Sequence, residues 1–404
     1  MKQDNIQNMK TVYLDNAATT AVDPTVLKAM LPYFTETSAN PSSLHIAAKR
    51  ARDACNAARH SIAHLINAKD EEIFFTSGGS ESDNWALKSI AYVQKSKGNH
   101  IIVTKIEHHA IINTCKFLEK NGIEITYLDV DKYGRVDPKI VEKSIRPGTI
   151  LISVMFANNE IGTIEPIAEI GAIAKKHGIL FHTDAVQAFG QIPIDVNEMN
   201  IDLLSASGHK MYGPKGVGIL YIRKGIRMEP LIHGGAQEWG QRAGTSNVTG
   251  IVGMGKAAEI AERDMSKKVT HEIELRDHII DRILSEIPYS SLNGHKIERL
   301  PGNVNISFQF VEGESVLMSM SHKGVCVSTG SACASGSLDP SHVLLAIGLP
   351  HEGAHGSIRI TISPTTTLEE VNYAVDVLKV SVERLRSISP LYDDFVKKEV
   401  KKDV

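Results

Sequence analysis

The sequence predicts an α/β protein, in which a mainly parallel β-sheet lies between helices and is followed by a smaller α+β domain. Three observations carry this. Between residues 70 and 185, short β-branched runs alternate with longer amphipathic stretches, the order expected of strands and crossover helices. A long helical stretch, Val248 to Ile287, then breaks the alternation and could link two domains. Beyond Pro288, strands and helices mix without a fixed order.

Taken along the chain, Ile73-Phe74-Phe75 reads as a strand and Ser82 to Tyr92 as a helix ending near Gly98. Ile101-Ile102-Val103 is a strand, and Ala110 to Lys120 a helix stopped by Asn121-Gly122. Ile123 to Val130, Ile150 to Phe156 and Ile179 to Thr183 are further strands. Pro166 to Lys176 has helical periodicity, with proline at its start and Gly178 just past its end. In the later part, Val304 to Phe310, Val325 to Ser328 and Ser357 to Ile362 read as strands, and Glu314 to Met320 and Leu368 to Ile388 as helices. There is no internal repeat, and the charged tail from Lys397 to Val404 is expected to fray.

Composition narrows the function. With 404 residues, 42% of them hydrophobic, the chain can bury a large core. Its 44 Lys and Arg against 47 Asp and Glu leave a net charge of -3, which argues against a nucleic-acid binder held by phosphate attraction. No apolar run reaches the roughly 18 to 20 residues that cross a bilayer. The opening MKQDNIQNMK lacks the apolar centre of a signal peptide, and Cys55, Cys115, Cys326 and Cys333 are too few for a disulfide scaffold. The expectation is a soluble cytoplasmic enzyme with no nucleic-acid or membrane partner.

Four segments carry candidate chemistry. Thr76-Ser77-Gly78-Gly79-Ser80-Glu81-Ser82 lies between a strand and a helix, where small residues and free helix-start amides could cradle an anion and the Thr76, Ser77 and Ser80 hydroxyls could add donors. An ordinary capped turn is the competing reading. No Gly-Lys-Ser/Thr ending follows, which disfavours a nucleoside triphosphate. In Phe181-His182-Thr183-Asp184, the acid falls at the carboxyl end of a strand, facing a ligand or capping the next helix. In Ser205-Ala206-Ser207-Gly208-His209-Lys210, the lysine sits among small residues after an apolar segment, in a cleft or at the surface. Together these supply what pyridoxal 5'-phosphate requires: an amine for a Schiff base, a carboxylate for the ring nitrogen and a phosphate cradle. Their order is that of a fold-type I pyridoxal-phosphate enzyme. The fourth segment, Ser328-Thr329-Gly330-Ser331-Ala332-Cys333-Ala334-Ser335-Gly336, places one cysteine among small residues, suited to a mobile loop and a reactive thiol. Cys326, Cys55 and Cys115 read as buried packing residues.

Two literal motif matches are rejected. His351-Glu352-Gly353-Ala354-His355 fits a zinc pattern that requires a helix, but Pro350, Gly353 and Gly356 predict a loop. Gly253-Met254-Gly255-Lys256-Ala257-Ala258 fits a dinucleotide fingerprint without a preceding strand, so close helix packing is the better account. His60 and His64 share a helix face but lack a third metal ligand.

The chain resembles cysteine desulfurases of the NifS/IscS type, from Tyr13-Leu14-Asp15-Asn16-Ala17-Ala18-Thr19-Thr20 to Ile358-Arg359-Ile360. The most specific pieces are Ser207-Gly208-His209-Lys210 with Gly213-Pro214-Lys215-Gly216, and Gly330-Ser331-Ala332-Cys333 continuing to Leu344. Two features depart from the pattern: Gly79-Ser80 replaces a common Ala-Thr, and the charged C-terminal tail differs from the IscS-type ending. The resemblance implies a seven-stranded-type sheet in a large domain over residues 16–262. A small domain would span 263–404, joined by residues 1–15 and carrying the Cys333 loop. It implies that Lys210 holds the coenzyme and moves protons, that Asp184 pairs with the ring nitrogen, and that Gln187 bonds the phenolic oxygen. His108 would stack on the ring and act as acid and base, a role the residues alone do not assign to it over His109. Gly79, Ser80, Ser207 and His209 would hold the phosphate, and Thr245 would reach the phosphate of a partner subunit, making a homodimer. Asn159 would bind the coenzyme and, with Arg359, position substrate. Cys333 would take sulfur from L-cysteine as a persulfide, releasing L-alanine, and pass it to an iron–sulfur scaffold protein or another acceptor. It could also serve as a transient cluster ligand there. The alternatives are a selenocysteine lyase, another fold-type I enzyme such as an aminotransferase, or a non-catalytic coenzyme-binding assembly partner.

Overall fold

The computed structural model describes residues 11–330 and 340–400, so Cys333 lies outside the described residues. The strands are β1 (Val12–Tyr13), β2 (Ile73–Thr76), β3 (His100–Thr104), β4 (Glu124–Leu128), β5 (Thr149–Ser153) and β6 (Leu180–Asp184), then β7 (Leu203–Ser207), β8 (Gly218–Ile222), β9 (Ser290–Leu292), β10 (Asn303–Phe308), β11 (Val325–Cys326) and β12 (Ser357–Thr361). The helices before the long connector are α1 (Pro24–Met30), α2 (Pro32–Thr35), α3 (Ile46–Leu65), α4 (Gly79–Val93), α5 (His109–Glu119), α6 (Pro138–Lys143) and α7 (Ile167–His177). The connector is α8 (Val248–Glu286), followed by α9 (Gly313–Ser321), α10 (His342–Ala346), α11 (His351–His355), α12 (Leu368–Ser387) and α13 (Pro390–Val400).

Seven strands form the central sheet in the order β2-β8-β7-β6-β5-β3-β4. Only β8 runs against the rest, pairing antiparallel with both β2 and β7. Period-2 alternation along the strands divides their side chains between two cores. Ile102, Ile152, Phe181 and Leu204 face α3, α7 and α8, whereas Ile101, Leu151, Leu203 and Leu220 face α4 and α5. A third apolar cluster joins Val12 and Leu14 to the later half of α8, β10, β12, α9 and α12, so the first described strand packs with the C-terminal part of the chain. The small-residue stretch of α8 packs closely as expected: a Cβ on Gly255 would fall 2.4 Å from the Ala58 backbone on α3.

Several local readings need correction. The helix after β2 begins at Gly79 rather than Ser82, because Gly78 forms the cap and the Ser82 amide bonds its carbonyl at 3.2 Å. The strand expected from Ile150 to Phe156 ends at Ser153, although Val154 and Phe156 still bond backbone carbonyls of β6. His351–His355 forms a single helical turn, not a loop, since proline is tolerated at a helix start and the Pro350 carbonyl accepts from the Ala354 amide at 2.9 Å. That turn joins no cluster of metal-ligating groups among the described residues. Cys326, on the short strand β11, is partly exposed rather than buried, while Cys55 and Cys115 are buried in helices as expected. Helix α13 continues past Lys397 to Val400, where fraying is expected from charge alone. Among the described residues, no helix is long and apolar enough to cross a membrane.

Candidate active site

Parallel strands leave their carboxyl ends, and the loops that follow, along one edge of the sheet. There a cleft of about 450 Å³ opens between the ends of β2, β5, β6 and β7. Gly79, Ser80, Ser207 and His209 line one part of it, and Asp184, Gln187, His108 and Lys210 another. Asn159 and Arg359 line it as well, so ten of the twelve residues expected at the site meet in one cavity. Cys333 lies outside the described residues. Thr245 is exposed and does not line the cleft of its own chain.

The cradle is built by a helix start. Gly79 and Ser80 are the first residues of α4, whose opening amides have no intrahelical partner and favour an anion. A Cβ on Gly79 would fall 2.5 Å from Val186 Cγ2, so the backbone's close approach to the loop after β6 requires glycine. Of the three hydroxyls expected there, Thr76 turns inward instead: its Oγ1 lies 2.8 Å from Ser82 Oγ in the core. Glu81 fixes the adjacent loop, accepting both the Ser77 amide and two guanidinium bonds from Arg242, at 2.8 and 3.0 Å. Burial, then the Lys210 and Lys215 cations, push His209 down to about 4, so its ring is neutral at pH 7; Nδ1 lies 3.0 Å from Thr19 Oγ1.

Lys210 follows β7 in a single 3-10 turn, and its Nζ donates to the carbonyls of Ala17 and Ala18, at 2.8 Å for the latter. The Gln187 amide donates to the same Ala17 carbonyl at 3.1 Å. The Tyr13–Thr20 segment therefore forms a wall that holds the amine in the cleft. Asp184 ends β6, is only 5% exposed, and accepts the Val186 amide at 2.9 Å, so it makes the local cap and still faces the cavity. Burial pushes its carboxyl up, opposed by His108, the Val186 amide and Lys210. His108 caps α5 through Nδ1, which accepts the Ala110 amide at 3.1 Å. Burial holds its imidazole below the usual range; Asp184 opposes this, and Lys210 and His109 add to it.

Arg359, on β12, is 1% exposed, which excludes the surface ion pair usual for a strand arginine. It donates to Asp15 at 2.9 Å and to the Asn159 carbonyl at 3.1 Å, while its buried Nε has no hydrogen-bond partner among the described residues. Three further titratable residues line the cleft that the sequence did not single out: Asp83, Glu160 and His342. Asp83 lies three and four residues after Ser80 and Gly79, on the same helix face as the cradle, and that spacing was its only signal. Glu160 accepts from Ser341, and burial raises its carboxyl to about 7 against the pull of Ser341 and Arg359. His342 lies tilted against His109 with ring centroids 4.8 Å apart and donates to the Glu107 carbonyl at 3.0 Å.

These residues fit pyridoxal 5'-phosphate. An amine, a buried carboxylate and a helix-start cradle that a Cβ would fill share one cavity. The class-V aminotransferase family matches residues 12–374. A cysteine desulfurase IscS of Methanosarcina thermophila is 55% identical over 382 residues, 95% of this chain and 94% of its own. Among solved structures, a NifS-like protein aligns with a TM-score of 0.88 at 38% identity, over 93% of this chain and 100% of its own. SspA in complex with cysteine aligns with a TM-score of 0.78 at 41% identity, over 88% of this chain and 100% of its own.

Proposed function

Because the chain belongs to the class-V aminotransferase family and is a pyridoxal-phosphate-dependent cysteine desulfurase, we propose that Lys210, Asp184, His108 and Cys333 carry its removal of sulfur from L-cysteine. The observation behind this assignment is the convergence of Lys210, Asp184 and His108 with the α4 cradle in one cleft. Bound there, the coenzyme supplies an electron sink for charge developing on the substrate carbon.

The chain's own residues do the rest. Asp184 pairs with the ring nitrogen and Gln187 with the phenolic oxygen, while Gly79, Ser80, Ser207 and His209 hold the phosphate. Lys210 Nζ holds the coenzyme and moves the proton at the substrate α-carbon. His108, with Nδ1 occupied by the Ala110 amide, carries its neutral-ring proton on Nε2 and gives and regains it there. Arg359 and Asn159 orient the substrate carboxylate. The Cys333 thiolate forms an S–S bond to the substrate sulfur as the Cβ–S bond breaks; the electron pair stays with the carbon, which is protonated to give L-alanine. The Cys333 persulfide then goes to an iron–sulfur scaffold protein or another acceptor, and Cys333 could act as a transient cluster ligand there. Thr245, exposed and three residues after Arg242, reaches the phosphate of a second subunit in a homodimer.

Incubation with pyridoxal phosphate, L-cysteine and a thiol reductant is expected to yield alanine and sulfide in equal amounts, measured by amino-acid analysis and a sulfide assay. Absence of alanine would contradict the assignment. Arg359→Gln should raise KM for L-cysteine by about tenfold to a hundredfold, the loss of one charge-assisted contact of roughly 1.5–3 kcal/mol. An unchanged KM would remove Arg359 from the substrate site.

A further inference from the structure

Asp83 is unexplained by the roles above. It lies on α4, is 1% exposed and lines the cleft, yet neither carboxyl oxygen has a hydrogen-bond partner. Its Oδ1 is 3.8 Å from His182 Nε2, too far for a bond. One ligand atom from each of Asp83, Asp184 and His108 lies within 4.8 Å of the others.

We propose that Asp83 is a positioning residue that stays a neutral carboxylic acid beside ionised Asp184, so that the pair holds one negative charge at the ring-nitrogen end of the cleft. This rests on the assignment of Asp184 to the ring nitrogen. Two nearly fully buried carboxyl groups whose oxygens lie within 4.8 Å of one another each raise the cost of ionising the other. Hydrogen bonding decides which keeps the proton. Asp184 accepts the Val186 amide at 2.9 Å and has His108 and Lys210 acting on it, whereas Asp83 receives no bond of good geometry.

The other groups around Asp83 act in the same direction. Burial is the largest influence and raises its carboxyl well above the usual range; Asp184 and then Glu107 add to this, and only a loose contact from the Ser205 hydroxyl, which lies 3.0 Å from His182 Nε2 and makes no well-formed hydrogen bond to Asp83, opposes them. His182 supplies no compensating cation, because burial pushes its imidazole down to about 3 and its nitrogens lie 2.8 Å from Ser153 Oγ and 3.0 Å from Ser205 Oγ. A neutral acid at this position leaves the single negative charge on Asp184, facing the ring-nitrogen end of the cleft, without adding a second.

The test compares wild type, Asp83→Asn and Asp83→Ala. Coenzyme-free protein at neutral pH should show, in the infrared difference between wild type and Asp83→Asn, loss of a protonated carboxylic-acid carbonyl stretch; the difference spectrum separates Asp83 from Glu107, whose carboxyl burial also raises, to about 8. In the coenzyme-loaded protein, Asp83→Asn should leave the pH midpoint of the visible coenzyme absorbance within about half a unit of wild type, because no charge is removed. Asp83→Ala should bind the coenzyme about tenfold more weakly, with Asp83→Asn restoring the affinity. The proposal is overturned if the infrared band lost is that of an ionised carboxylate, if Asp83→Asn moves the midpoint by more than about one unit, or if Asp83→Ala binds the coenzyme as wild type does. Failure of the underlying assignment reads differently: Asp184→Ala would then leave the coenzyme absorbance unchanged, whatever the infrared result.

Discussion

Cys333→Ser is expected to keep the visible absorbance of bound coenzyme and to lose sulfur transfer by at least about a thousandfold. A thiol near its ordinary pKa of about 8.5 is a few per cent thiolate at pH 7, whereas a serine hydroxyl is essentially never ionised there. No other cysteine of the chain can take over. Burial pushes the Cys55 thiol up to about 11 and that of Cys115 to about 12, and both lie within helices of the packed core. Cys326 is partly exposed, but burial and then Asp15 raise its thiol as well. The corresponding Cys326→Ser variant should therefore transfer sulfur as wild type does. Retained transfer in Cys333→Ser, measured as sulfide released from L-cysteine, would move the nucleophile elsewhere.

Lys210→Ala is expected to remove both the covalent coenzyme absorbance and turnover, the latter by about a thousandfold or more. The amine is placed by its surroundings: the Ala17 and Ala18 carbonyls hold Nζ, and Gln191 donates to the Lys210 carbonyl at 2.5 Å. The fold should survive the substitution, because these contacts lie at the edge of the cleft and the Lys210 side chain belongs to none of the four apolar clusters among the described residues. Unchanged melting with lost absorbance is the expected pair of readings. Persistence of the absorbance would assign the Schiff-base amine to another lysine.

Much of this architecture is legible in the sequence because strand-and-helix alternation and strand-end position are local signals. Asp184 closes β6 and Lys210 follows the end of β7 by three residues, and the parallel pairing of β6 with β7 brings those ends together. Other features depend on tertiary contacts. Strand β8 reverses direction between β2 and β7, which short apolar runs do not encode. His108 and His109 are adjacent in sequence and both line the cleft, but it is His108 that caps α5 and lies grouped with Asp83 and Asp184. Asp83 reads as an ordinary polar residue of a helix's first turns until α4 is packed over the end of β6. The helical turn at His351–His355 escaped for the opposite reason: proline and glycine read locally as a loop, yet a single turn needs only one or two backbone bonds.

The most direct test of the central claim is mass spectrometry of the protein after brief exposure to L-cysteine, with thiols alkylated and the four cysteine-containing peptides resolved. The account predicts one added sulfur atom on the peptide containing Cys333 and none on those containing Cys55, Cys115 or Cys326. Alanine formation with Cys333 unmodified, or sulfur gained at another cysteine instead, would contradict it.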